Sequence, residues 1–282
     1  MKATTAIGIA LACGLIAVGA LMEGTHLSAL INIPATLFVF GGTFGAVMAG
    51  TSFERVKAIP RLYQIAIKGE EPDPMARIDL MTRLAETARR EGLLALEAEL
   101  DQVDDRFTRK GIQMVVDGTD PEVMRDVLEI EIEALEQRHA DARRVFEKAA
   151  GFAPTMGILG TVLGLVHVLQ NLDDPGSLGP AISSAFIATL FGVGSANVVF
   201  FPVANRLKEL TEAEVRLRTM TLDAVLAVLE GENPRVLREK LLSFVPPELA
   251  AASSGDQARA AGRAPADRGS LAAEAAAEAV AA

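Results

Sequence analysis

The chain has 282 residues, is half apolar yet only 5% aromatic, and carries a formal net charge of −10. The apolar excess is therefore aliphatic and small, as in packed membrane helices, and the acidic balance without an aromatic-interleaved basic patch excludes nucleic acid as the main partner. A single cysteine, Cys13, rules out an intrachain disulfide, a CxxC pair or a cysteine-rich metal site, and His26, His139 and His167 are too scattered to suggest a zinc cluster.

The apolar residues collect in four runs. The first, Thr5 to Met22, follows Lys2 and contains an Ala12-Cys13 pair of the kind found at lipoprotein cleavage sites. The basic region is minimal and the apolar run continues well past the cysteine, which favours a membrane helix over a signal peptide. The second run, Leu30 to Gly50, has Pro34 near its start and closes in Gly41, Gly42 and Gly45, small residues that favour close helix contact.

From Ser52 to Lys148 the chain is charged and periodic. Leu93, Leu96, Leu100 and Val103 fall on one helical face, and Val123, Val127 and Ile130 on another. Asp120, Pro121 and Glu122 supply an N-cap, a proline at the first helical position and a favourable charge at the positive helix end, so a helix is expected from there toward the third run.

The third run, Ala149 to Leu172, carries Gly157, Gly160 and Gly164; the fourth, Leu178 to Ala204, carries Gly192, Gly194 and Ala196. Each run is about long enough to cross roughly 30 Å of hydrocarbon at about 1.5 Å per residue. Arg206, Lys208 and Glu209 follow at once, and both helices are expected to continue into the cytosol as stalks. After Pro246 and Pro247 the tail turns to Ala, Gly, Ser, Asp and Arg, too poor in large apolar residues to bury a core, and residues from about Ala250 are expected to be disordered.

Charge placement sets the topology. Lys and Arg are absent from Ala3 to Gly50 and from Ala149 to Asn205, so the positive-inside rule puts both termini and the middle segment in the cytosol and the short loops near Gly24 and Pro175 on the far side. The expected fold is all-α: transmembrane helices in 1–50 and 149–205, a cytosolic helical domain in 51–148, cytosolic C-terminal helices in 206–249 and a disordered tail in 250–282. Apart from Glu23, Asp173 and Asp174 in the loops, the membrane half contains no acidic residue. The spans thus own no carboxylate able to carry a proton or hold a cation at mid-depth.

No GxSxG, P-loop, HExxH or strand-linked GxGxxG motif is present, which argues against an enzyme. Hydroxyls in hydrocarbon need partners and often line water or ion paths, and Thr161 and Thr189 stand out on that ground. Pro154, Thr161 and Val168 recur every seven residues and share a helix face; a proline frees a carbonyl that a threonine hydroxyl can join in coordinating a cation. The alternative is that both threonines bond back to their own helices and Pro154 merely bends its own. His167, toward the outer end of the third run, is a helix-contact residue or a proton relay. Arg89 and Glu97 bracket Gly92 on what the residues alone describe as a solvated surface.

Five segments in order, INIPATLFVFGGTFGAVMAG from Ile31, ARREGLLALE from Ala88, GFAPTMGILGTVLGLVHVLQNLDDPGSLGPA from Gly151, SSAFIATLFGVGSANVVFFPVANRLK from Ser183 and EGENPRVLREKLLSFVPPE from Glu230, together resemble the MotA/PomA family of flagellar stator channel subunits. The resemblance spans roughly Met1 to Glu248. It implies an inner-membrane protein without cofactors that passes Na+ or H+, and self-association into a ring, five around two in family members. The two are MotB/PomB-like one-span subunits with a peptidoglycan-binding domain, whose membrane aspartate takes up the ion. By the same resemblance Pro154 faces that aspartate, Pro202 joins it in coupling ion passage to movement, and Arg89 and Glu97 meet a rotor switch protein of the FliG type. Thr161 and Thr189 match hydroxyl positions of sodium-driven stators, so sodium is the implied ion. Asn32, near the outer mouth, departs from the aspartate that sodium-type members often carry, which keeps protons in play. ExbB/TolQ energisers share the pattern of the last two runs but have three spans, and a passive membrane scaffold is the third class.

Overall fold

The computed structural model describes residues 4–24 and 30–250. Of the tail expected to be disordered, 250–282, residue 250 ends a short helical turn and the rest lies outside the described residues, as do residues 25–29 of the first short loop. All regular structure among the described residues is helical: α1 (Thr4–Met22), α2 (Ile33–Ala49), α3 (Phe53–Lys57), α4 (Ile59–Lys68), α5 (Pro74–Glu91), a 3-10 helix (Leu93–Gln102), α6 (Arg106–Val116), α7 (Pro121–Gln170), α8 (Pro175–Leu229) and α9 (Pro234–Leu242). α1, α7 and α8 are long and apolar enough to cross a membrane. α2 is apolar but shorter at 17 residues, because Asn32 caps it with Pro34 in its first turn and Gly50 closes it. Both α2 and α8 contain a π-turn, at Leu37–Gly41 and Ala196–Phe200.

Two compact units are present, Met1–Pro72 with Asp126–Thr219 and Asp73–Arg125 with Met220–Ala282. In the first, the core is the contact between the apolar parts of α7 and α8. A Cβ on Gly157 would stand 2.8 Å from the Ala188 carbonyl oxygen, one on Gly164 2.7 Å from Ala185 Cβ, and one on Gly192 2.5 Å from the Ala153 carbonyl oxygen. Only glycines permit that approach, and the close packing replaces the hydrophobic drive that lipid cannot supply. Further along, Phe146, Val203, Ala204 and Leu207 close on Ala66, with Tyr63 edge-on to Phe146 at 5.0 Å. Lys148 Nζ donates to the Gly50 carbonyl, and Arg55 pairs with Asp141 at 2.8 Å, so the short segments after α2 are tied to α7.

The second unit packs α5 against the 3-10 helix and α9, and the 3-10 helix against α6. The leucine periodicity is realised as 3-10 rather than α-helical turns, entered through Gly92 at φ 89°, and it buries Leu96, Leu100 and Val103. Asp120 caps α7 as expected, accepting from the Glu122 amide at 2.9 Å. The other predicted stripe differs: Val123 and Ile130 are 52% and 65% exposed, and the buried face of α7 is Met124, Leu128, Ile132 and Leu135. The two faces have the same spacing, so periodicity alone does not choose between them.

A polar knot fastens the second unit. Arg77 Nη1 donates to Asp105 at 2.9 Å, to Thr221 at 3.1 Å and to Thr108, whose hydroxyl donates in turn to Asp105 at 2.5 Å. Partial burial by itself raises the Asp105 pKa, but the Thr108 hydroxyl and amide and the Arg77 guanidinium outweigh it and hold the carboxyl below its ordinary value.

Two outcomes follow for stability. Gly192→Ala forces the α7 and α8 backbones apart at a cost of about 1–3 kcal/mol, whereas a Cβ on Gly194 meets nothing within 4 Å. Thermal unfolding of the solubilised protein will show a lower midpoint for the first variant than for the second; equal midpoints refute the packing argument. Because the folded pKa of Asp105 is depressed, its contribution is present above the unfolded value, near 3.8, and is lost as pH falls through the folded value. Asp105→Asn will lower amide-exchange protection in α5 and α6 at pH 7 by on the order of 1 kcal/mol, the carboxylate being partly exposed, with a smaller difference from the native chain at pH 3. A difference independent of pH contradicts this.

Candidate ion-channel site

Thr161 on α7 and Thr189 on α8 meet within the glycine-lined contact. The Thr161 hydroxyl lies 2.9 Å from the Ala185 carbonyl oxygen across the interface and 3.1 Å from the Gly157 carbonyl oxygen of its own helix, and it touches the Thr189 hydroxyl. One proton serves only one of those carbonyls, so when Thr161 donates to a carbonyl Thr189 donates to Thr161. Both lone pairs of the Thr189 oxygen then stay free for a cation. The bond back to Gly157 is the local contact expected of any intramembrane threonine; the links to Ala185 and Thr189 are the part that local reading leaves out.

Pro154 lies on the same helix two turns earlier, beside the contact: a Cβ on Gly192 would come within 3.2 Å of Pro154 Cα. Seven residues separate it from Thr161, about 10 Å along the axis. The carbonyl that a proline frees lies a further turn back. No single ion reaches both groups, so the proline carbonyl and the threonine hydroxyls belong to different points of any path.

Asn32 is engaged twice. Its Oδ1 accepts from the Ala35 amide at 2.9 Å, capping α2, and its Nδ2 donates to Ser184 Oγ on α8 at 2.8 Å. A neutral amide suits this because it accepts at the cap and donates across the interface together, which an ionised aspartate cannot do. Near it a cavity of about 360 Å3 opens between α2, α7 and α8, bordered by Pro34, Phe38, Gly160, His167 and Ser184. His167 is exposed and neighbours Asn171, whose Nδ2 donates to the His167 carbonyl at 2.8 Å.

Pro202 follows the π-turn of α8 directly. The Phe201 amide donates to the Ala196 carbonyl, five residues back, and Pro202 has no N–H to offer the next one. Arg89 and Glu97 belong to the second unit. Both are exposed, on the last turn of α5 and on the 3-10 helix, and neither has an ion-pair partner among the described residues. Leu94 between them is 73% exposed.

Three features carry no local signal in the sequence. They are the Asn32 to Ser184 link, the two π-turns, and a buried hydroxyl on Thr43 that has no hydrogen-bond partner among the described residues.

The MotA/TolQ/ExbB proton channel family matches residues 99–220, and the family described as Motility protein A N-terminal matches residues 6–92. Motility protein A of Bacillus subtilis is 41% identical over 247 residues, covering 87% of this chain and 92% of its own length. Chemotaxis protein PomA of Vibrio alginolyticus is 34% identical over 230 residues, 80% of this chain and 88% of that one. Among solved structures, the C. jejuni MotAB structure superposes with a TM-score of 0.83 at 32% identity, covering 88% of this chain and 97% of that one. The flagellar MotAB stator complex from Bacillus subtilis does so with 0.82 at 41%, covering 87% and 97%. On these likenesses the chain belongs to the MotA/TolQ/ExbB proton channel family, as a flagellar motor stator subunit of the MotA/PomA type.

Proposed function

We propose that this stator subunit crosses the inner membrane four times with both termini and residues 51–148 in the cytosol, and that it passes sodium in preference to protons. The observation that carries the ion path is the Thr161 and Thr189 hydroxyl pair, held in a contact of glycines and alanines with no carboxylate in the apolar parts of α7 or α8. Such a site supplies neutral oxygens and lacks the negative charge that a cation needs. A MotB/PomB-like one-span partner completes it with a membrane aspartate; that the related solved structures are MotAB complexes supports such a partnership.

In this reading α2, although short, spans with the help of Asn32 and its neighbours at the outer mouth. Pro154 faces the partner's carboxylate, and Pro202 turns the local change into movement of the α8 stalk. Several copies ring two partner chains, five in the arrangement favoured. Arg89 and Glu97, with no ion-pair partner among the described residues, meet charges on a rotor switch protein of the FliG type. Exposed pairs of this kind give orientation and on-rate more than affinity.

In cells carrying only this stator, swimming speed at fixed pH will rise with external sodium, and Thr161→Ala will raise the sodium concentration needed for half-maximal speed roughly ten-fold, the factor set by one lost ligand contact. Speed indifferent to sodium but abolished by a protonophore rejects the sodium reading. Separately, the Arg89→Ala/Glu97→Ala double variant will reach the membrane in normal amount yet swim at a small fraction of normal speed. Undiminished swimming returns both residues to plain solvated surface.

A further inference from the structure

Where the apolar part of α8 gives way to the charged part, the helix is built to bend. The Ala196–Phe200 π-turn widens it, and Pro202 leaves the Val198 carbonyl without its α-helical donor. Before this joint α8 is clamped, since Gly192 lies against the Ala153 carbonyl with no space even for a methyl group.

Four residues beyond Pro202 stands Arg206, the first charge of the helix. Its Nη1 donates to Glu71 Oε1 at 2.8 Å and to Glu209 Oε2 at 3.2 Å, and its Nη2 donates to the Gly69 carbonyl at 3.3 Å, with the side chain only 12% exposed. Glu71 and Gly69 follow the end of α4, so two of the three acceptors lie on another segment of the chain. Gly69 permits this approach, because a Cβ there would stand 2.4 Å from the Ile65 carbonyl oxygen and 2.8 Å from Leu210 Cδ1 of α8. Alongside the joint lies a cavity of about 560 Å3, bordered by Thr5, Gly8, Asn197 and Pro202 and, at the fork, by Arg206 and Glu71, which leaves room for displacement between α1 and α8.

A clamp on one side, a weak turn with free volume in the middle and a charged fork on the other side form a lever. We infer that Arg206 is a positioning residue that fastens the charged part of α8 to the end of α4, so that bending at Pro202 moves both segments together instead of dissipating in α8 alone. A guanidinium suits this because its planar fork satisfies acceptors in fixed directions, whereas an ammonium supplies charge without direction. The inference rests on the stator reading, since it concerns how the movement is passed on.

The test uses cells whose only stator is this chain with its partner, with torque measured on tethered cells and ion leak measured on overexpression. Arg206→Ala is expected to lower torque roughly ten-fold, the factor that loss of a charge-assisted hydrogen bond makes in an equilibrium, while leak stays normal. Arg206→Lys will restore little. The exchange Glu71→Arg with Arg206→Glu rebuilds the link between the two segments but not the bonds to Glu209 and the Gly69 carbonyl, and will restore part of the torque lost in Arg206→Ala, a rescue that a general membrane-interface anchor does not predict. Normal torque in Arg206→Ala, full recovery with Arg206→Lys, or an exchanged pair that reaches the membrane and leaks ions but turns no rotor each overturn the inference. If Arg206→Ala fails to accumulate, the exchanged pair decides alone. Failure of the unaltered chain to drive rotation defeats the stator reading itself and is thereby distinguished.

Discussion

The approach of two helix backbones, α7 and α8, within the distance that only glycine allows is the constraint on which the rest depends. With Gly157 against the Ala188 carbonyl and Gly192 against the Ala153 carbonyl, neither helix can slide or rotate without a collision of main-chain atoms. That rigidity lets a side chain as short as threonine reach a carbonyl on the neighbouring helix, as Thr161 does with Ala185. At a typical helix separation of 8–10 Å the same hydroxyl would turn back to its own helix alone. The polar site is therefore a consequence of the apolar packing.

Charge is kept out of this contact and concentrated at fasteners beyond it. Arg77 draws α5, α6 and the residues of α8 near Thr221 together, Arg55 and Lys148 tie the segments around Gly50 to α7, and Arg206 ties α8 to the end of α4. The two less exposed guanidiniums, Arg77 and Arg206, each have several acceptors, which is what a part-buried cation requires, whereas the more exposed Arg55 is held by Asp141. The exposed Arg89 and Glu97 differ in being available for a partner.

Much of this was legible because composition and capping are local. The apolar runs map onto α1, α2, α7 and α8, and the Asp120-Pro121-Glu122 signal marks the start of α7 within a residue. What the chain hid depends on distance. Asn32 and Ser184 are 152 residues apart and Arg206 and Glu71 135, and nothing near either partner announces the other. The Val123 stripe went wrong because two faces of one helix have the same rhythm and only neighbouring elements decide which is covered. Thr161 and Thr189 were recognisable singly as hydroxyls in hydrocarbon, but their junction, 28 residues apart, came from the glycine contact. The roles proposed for Pro154, Pro202, Arg89 and Glu97 rest on family likeness alone, since proline and surface charge carry no functional label.

The π-turn in α8 also has a geometric effect on which way its side chains face. Among the buried positions of the helix, Ala185, Ala188, Gly192, Ala196, Val203 and Leu207, with Ile187 and Ala204 beside them, keep a helical rhythm when written as a string. One surplus residue in the wide turn sets everything after it back by roughly 100° about the axis. The string is in phase while the object is not. That turn lets one continuous helix serve different neighbours: before Ala196 its covered side packs on α2 and α7, and after Phe200 Val203, Ala204 and Leu207 pack on Ala66 of α4 together with Phe146 of α7. A substitution scan along α8 would trace a single periodic pattern and conceal that turn, which only a phase measurement in space reveals.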